Sequence, residues 1–243
     1  MKYTIMKYIM LLFLIITVKG DVFPLITQVE KHNDTEYWSN LLFEQLWPPT
    51  ILIDSNINNY NFTNDYFTIF GILGSTYKNN IPVYCNISEF NRNYIKNIQD
   101  ELKQYWTDFN DYHSLLRFVY YKYYSCLHNN NIFYNEYSYF NIGLNLRENY
   151  NLYNILKKYN IVPSNKIYKK SLIRNSIFSE IGVMPIITCD GNRNLKTIII
   201  CFDRNTEPIF CRTEFYGMGC EYDFIYYPLY NINNNLNNNA TIF

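Results

Sequence analysis

The sequence predicts a single α+β domain, and three observations predict it. Two short apolar runs, at residues 41–53 and 66–73, read as strands. A long middle stretch then repeats its apolar residues at helical spacing, and the last third returns to short β-branched runs separated by polar turns. No internal repeat and no composition break divides these blocks, so one domain is the economical arrangement.

The chain starts MKYTIMKYIMLLFLIITVKG. Lys2 and Lys7 precede an apolar run from Tyr8 to Val18, and the small residues Val18 and Gly20 suit a cleavage site. Residues 1–20 thus carry the three-part pattern of a secretory signal peptide. About 11 apolar residues fall short of the roughly 20 that a bilayer span needs, and no later stretch is long and apolar enough for one. The domain itself is expected over residues 21–230.

LLFEQLWPPTILI (41–53) reads as a strand stopped by Pro48 and Pro49, and YFTIFGIL (66–73) as a strand buried on both faces. From Glu89 to Trp106, Phe90, Tyr94, Ile95, Ile98, Leu102 and Tyr105 recur at helical spacing. A second helix is expected from Asp111 to about Leu127. More helical pattern continues over 135–180, interrupted at Pro163. MPIITC, LKTIIICF and PIFCR read as short strands. The end, NINNNLNNNATIF (231–243), is low-complexity and reads as a disordered tail.

The 21 basic and 21 acidic residues balance. Loss of residues 1–20 would remove Lys2, Lys7 and Lys19 and no acid, leaving 18 basic against 21 acidic side chains, a net charge of −3. Such a chain lacks the electrostatic footprint of a general nucleic-acid binder, so any RNA contact must come from a local groove. Cys85, Cys126, Cys189, Cys201, Cys211 and Cys220 make an even set, which after a secretory leader points to three disulfides among 15 possible pairings. There is no C-x-x-C pair and His32, His113 and His128 are scattered, so neither a metal site nor a cofactor is predicted. Sequons at Asn33, Asn61 and Asn86, with a fourth at Asn239, fit a secreted surface, although in so Asn-rich a chain some arise by chance.

Four stretches, in order, resemble the ribonuclease T2 family. FEQLWPPT (43–50) resembles the family's Q-x-W-P-x-T strand, and FTIFGILGSTYKN (67–79) resembles its first catalytic segment, F-T-I-H-G-L-W-P. ELKQYW (101–106) and then LLRFVYYKYYSC (115–126) resemble the helix ending in its second segment, F-W-x-H-E-W-x-K-H-G-T-C. YNLYNILKKYNIVPSN (150–165) and IGVMPIITC (181–189) resemble a later helix, its I-x-P-S turn and the next strand. The resemblance implies a central antiparallel β-sheet flanked by helices. It also implies the pairings Cys85 with Cys126, Cys189 with Cys220, and Cys201 with Cys211. A further family bridge is missing, with Leu52 at the position of its first cysteine. Closing the loop from Cys85 to Cys126 is worth about 4 kcal/mol in the chain-entropy model.

The family's chemistry is cleavage of single-stranded RNA by attack of the ribose 2′-OH on its own 3′-phosphate. A neutral imidazole takes the hydroxyl proton and a protonated one gives a proton to the leaving 5′-oxygen. Carried over residue by residue, the first segment's histidine is Phe70 and its L-W-P is Ile72, Leu73 and Gly74. In the second segment the histidines are Phe118 and Tyr123, and the glutamate is Val119. Only Lys122 remains of the charged set, followed by Ser125 and Cys126. Phenylalanine cannot titrate, and a phenol with a pKa near 10 is a poor base at neutral pH. Leu73 in place of the tryptophan loses a base-stacking surface worth about 1–3 kcal/mol.

Each lost acid or base typically removes about 10²–10⁴ in rate. The sequence therefore reads as a secreted, glycosylated family member that acts by binding, with Leu73, Trp47 and Lys122 as candidate ligand contacts. The partner is an unidentified protein or small molecule; the alternative is an RNA-binding or weakly active endoribonuclease that uses single-stranded RNA. Two readings of the apolar replacement stand open: it fills the old cleft as added core, or it forms a pocket. His113 lies five residues before Phe118, about 140° round a helix, and His128 lies beyond the motif, so neither reads as a substitute catalyst.

Overall fold

The computed structural model describes residues 38–230, apart from positions 56, 58–61, 64, 77, 79, 86, 88, 108, 110, 111, 129 and 130. The leader, His32, the four sequon asparagines and the Asn-rich tail lie outside the described residues.

The chain opens with strand β1 (Asn40–Leu46), helix α1 (Pro48–Asp54) and strand β2 (Thr68–Ser75). The expected single strand over 41–53 is therefore a strand and a helix. Pro48 and Pro49 occupy the first helical positions, where the fixed φ of proline suits a helix and its missing N–H is not needed. Trp47 stays extended and donates its backbone N–H to the Lys196 carbonyl. The prolines end the strand, and they do so by starting a helix.

The helical pattern over 89–106 resolves into a 3₁₀ segment (Arg92–Ile98), capped by the Asn91 side chain, and α2 (Gln99–Tyr105). Next come α3 (Tyr112–Lys122), a 3₁₀ turn (Tyr124–Cys126) and α4 (Glu136–Asn149), whose first turn is closed by a reciprocal Asn135–Ser138 capping box. After these come α5 (Leu152–Lys158), β3 (Ile167–Lys169) and α6 (Lys170–Ile181), which stops where Gly182 takes φ 80°. The last elements are β4 (Ile186–Cys189), β5 (Leu195–Phe202), β6 (Pro208–Ile209) and β7 (Phe224–Tyr226).

Five strands make an antiparallel sheet in the order β2-β1-β5-β4, with β6 also on β5; β3 and β7 pair separately. The fold is α+β, with a central antiparallel sheet, flanking helices and three disulfides. These join Cys85 to Cys126, Cys189 to Cys220 and Cys201 to Cys211, the pairing that the resemblance implies. Among the described residues no helix is long and apolar enough to cross a membrane.

Strand β2 lies at the sheet edge, yet most of it is buried. Side chains from α4 and from the end of α2 cover open carbonyls on the strand and just before it. Arg147 Nε donates to the Phe67 carbonyl at 3.3 Å, and Trp106 Nε1 to the Phe70 carbonyl at 3.0 Å. An edge strand treated this way is closed to pairing with another chain, and it is held rigid where the site begins.

Candidate functional site

Phe70 owes its place to an irregularity in β2. Glu44 pairs with Gly71 while Gln45 pairs with Ile69, so Phe70 is an extra residue in the ladder. A bulge of this kind re-aims a side chain. Here the ring reaches the end of α3, where Phe118 and Tyr123 stand. Ring centroids lie 6.4 Å apart for Phe70 and Phe118, 5.9 Å for Phe70 and Tyr123, and 6.1 Å for Phe118 and Tyr123. Three positions from two sequence segments thus form one closed triangle of rings, at distances typical of favourable aromatic pairs.

Val119, one residue along α3, is wholly buried. Its Cγ1 lies 3.7 Å from where a Cβ on Gly71 would stand, so it packs directly over the bulge. The backbone around the triangle is tied from two sides. Tyr84 N–H donates to the Lys122 carbonyl at 2.9 Å, and the adjacent Cys85 is bonded to Cys126.

Lys122 carries the charge left in this group. Its ammonium stands 4.8 Å from the Phe118 ring centre and 5.2 Å from that of Tyr123, a cation over two π faces. Partial burial lowers its pKa. Tyr123 is buried, and desolvation, followed by the charges of Glu44 and Tyr84, raises its pKa well above the ordinary phenol value. Its hydroxyl is therefore fully protonated at neutral pH and is no base. His128 lies outside the triangle, with Nδ1 2.6 Å from the Ser125 carbonyl oxygen.

Two of the three candidate ligand contacts are core residues. Trp47 is wholly buried. Its indole N–H donates to the Pro228 carbonyl at 2.8 Å and its ring packs against Phe67 at 4.9 Å and Tyr227 at 4.5 Å. Its expected ligand role gives way to a structural one. Leu73 is only 7% exposed and offers no stacking face. Of the three, Lys122 alone keeps access to solvent.

Glu44 is the residue that sequence reasoning missed. It sits opposite Gly71 with its side chain on the same sheet face, next to the bulge that places Phe70. Burial raises its carboxyl pKa to about 7, outweighing a hydrogen bond from Thr197 and the charge of Lys196. Its signal was an acid following the apolar run Leu41–Phe43 inside a strand.

Comparison with known proteins identifies the family and the fold. The family model described as "Ribonuclease T2 family" matches residues 38–211. Ribonuclease T2 of Danio rerio is 30% identical over 193 residues, covering 76% of this chain and 73% of its own. Among solved structures, an RNase-related protein from Calystegia sepium superposes with a TM-score of 0.70 at 21% identity, covering 81% of this chain and 100% of that one. Human RNase T2 superposes with a TM-score of 0.66 at 23% identity, covering 79% of this chain and 98% of that one. With the sheet order, the three disulfides and the converging segments in place, the chain belongs to the ribonuclease T2 family.

Proposed function

We propose that this chain is a secreted pseudoenzyme of the ribonuclease T2 family, which binds a partner and does not cleave RNA. The ring triangle carries the reading: Phe70, Phe118 and Tyr123, in the places of the family's histidines, pack on one another within 6.4 Å. General acid–base cleavage needs groups that exchange protons near working pH. Two of these three cannot titrate at all, and burial moves the third further from that range. Val119 supplies neither charge nor hydrogen bond where the family has a glutamate. Secretion rests on the leader pattern and agrees with three disulfides, which persist in oxidising compartments.

The packing supports the reading in which the rings fill the old cleft. Binding then falls to what the filled cleft presents outward: the half-buried rings of Phe70 and Phe118, the Lys122 ammonium, and the exposed Tyr84 ring nearby. An aromatic surface of mutually tilted rings with one cation suits an apolar or aromatic group of a protein or small molecule. A second reading, weak RNA binding or residual cleavage, is favoured by Lys122 and by the Glu44 carboxyl, whose pKa of about 7 lies in the range of a general base.

Incubation of the purified protein with single-stranded RNA from pH 4 to 8 tests both. The pseudoenzyme reading expects no turnover above a heat-denatured control. Turnover abolished by Glu44→Gln, His113→Ala or His128→Ala overturns it. Salt-dependent retention of RNA without cleavage favours the second reading.

A further inference from the structure

A cavity of about 130 Å³ lies at the sheet edge opposite the ring triangle, where β4 meets the start of α6 and the turn at 213–219. It stands apart from the proposed function and does not rest on it. Lys170 and Arg174 project into its lining, with Tyr216, Ile187 and Gly219 among the other walls, and no carboxylate lines it. The Arg174 guanidinium carbon lies 5.3 Å from the Tyr216 ring centre, and that ring is fixed by a 3.1 Å hydrogen bond from its hydroxyl to the Met184 carbonyl. The Arg174 Nε–H is buried and, among the described residues, has no hydrogen-bond acceptor. Lys170 Nζ donates one bond, to the Cys220 carbonyl at 2.6 Å, which leaves two of its three donors.

The arrangement is unfavourable as it stands. Lys170 and Arg174 are four residues apart on α6, so their like charges face one another along the helix. Lys170 sits in the first turn, where the helix dipole disfavours a cation, and that turn holds no acid. Glu221 and Asp223 are close in sequence to Cys220 but are exposed, and among the described residues neither forms an ion pair with Lys170 or Arg174. A buried donor without an acceptor adds to the cost. One species relieves all of these terms together: an oxyanion that accepts from the guanidinium and the ammonium.

We infer that this cavity is an oxyanion-binding site for a phosphate group, either free or as the end of a phosphomonoester. The volume is roughly four times the ~30 Å³ share of a water molecule, enough for a tetrahedral anion and a bridging water. The planar Arg174 fork, set beside the Tyr216 ring, suits paired hydrogen bonds to two phosphate oxygens.

Isothermal titration of the full chain with inorganic phosphate, at fixed ionic strength set by chloride, tests the site. Saturable one-site binding is expected, weakened about tenfold or more in Arg174→Gln and in Lys170→Gln. Arg174→Lys keeps the charge and the stem, and is expected to weaken binding by less than Arg174→Gln. Methyl phosphate distinguishes the sources: equal affinity assigns a phosphomonoester end, and binding of inorganic phosphate alone assigns the free ion. Thermal unfolding establishes that each variant is folded, and a variant that does not fold leaves the other two to decide. Absence of saturable binding, or affinity unchanged in every folded variant, overturns the proposal.

Discussion

The hydroxyl of Tyr139 serves both open backbone groups of Ile72. It accepts from the Ile72 N–H and donates to the Ile72 carbonyl, each at 3.1 Å, although the two residues are 67 positions apart. The tyrosine is wholly buried, so water cannot replace it. Tyr139→Phe keeps the ring in place against Trp106 and Phe140 and leaves a buried donor and acceptor unpaired. Each such group costs about 1–3 kcal/mol, so the variant is expected to lose about 2–6 kcal/mol in urea denaturation at unchanged m-value. A loss under ~0.5 kcal/mol would show that the edge of β2 does not depend on this bond.

Glu44 ties stability to pH. Its folded pKa is raised from 4.5 to about 7, so the folded state favours the protonated acid. Below the unfolded value both states hold the proton and there is no effect. As pH rises through that value the unfolded chain releases its proton first, and stability falls until about pH 7, where the loss is complete. The loss is on the order of 3 kcal/mol at most. Asp54 is raised too, chiefly by burial and by the charge of Asp190, and it contributes in the same direction. Melting temperatures from pH 4 to 8 are therefore expected to fall in the wild type and to fall less steeply in Glu44→Gln. Identical profiles would remove Glu44 as the cause.

How much of this was legible in the sequence differs by element. The long strands, the order of the segments and the six cysteines were readable, because apolar runs and sulfur counts are local signals. The switch at Pro48 from strand to helix was not, since a proline pair marks the end of a strand and is silent on the element after it. Strands β3 and β7 are three residues each and pair across 50 positions or more, so no local pattern reveals them. At the site, the motif positions of Phe70, Phe118 and Tyr123 were found by resemblance, and the fold brings them together. Trp47 was misjudged because an aromatic in a motif looks the same whether it faces a ligand or Tyr227. Glu44 was missed because burial, which gives it its interest, depends on neighbours distant in the chain.

Gly143 on α4 faces the Trp106 ring so closely that an added Cβ would stand 2.4 Å from Cζ3 and 2.8 Å from Cη2. Trp106 is wholly buried and anchors the Phe70 carbonyl through its indole N–H. Gly143→Ala must therefore push this indole aside and loosen the bulge. Ordinarily alanine stabilises a helix by about 1 kcal/mol over glycine. Here overpacking of about 1–3 kcal/mol opposes that gain, and a net loss is expected. A rise in the denaturation midpoint would show that the indole has room to move.

Single substitutions to histidine and glutamate test the proposal that the ring triangle fills the family's cleft. Phe70 and Phe118 are only partly buried, so Phe70→His and Phe118→His keep a ring and leave the imidazole some water; each is expected to cost about 1–2 kcal/mol. Val119 is wholly buried over Gly71, and the nearest cations in sequence are the exposed Arg117 and the partly buried Lys122. Val119→Glu places a carboxyl there without a hydrogen-bonding partner prepared for it, and about 3 kcal/mol or more is expected, growing as pH rises and the acid must ionise. Urea denaturation at pH 5 and pH 8 orders the three. If Val119→Glu proved the mildest, the pocket would still be built to hold an acid, and the filled cleft would be the wrong description of it.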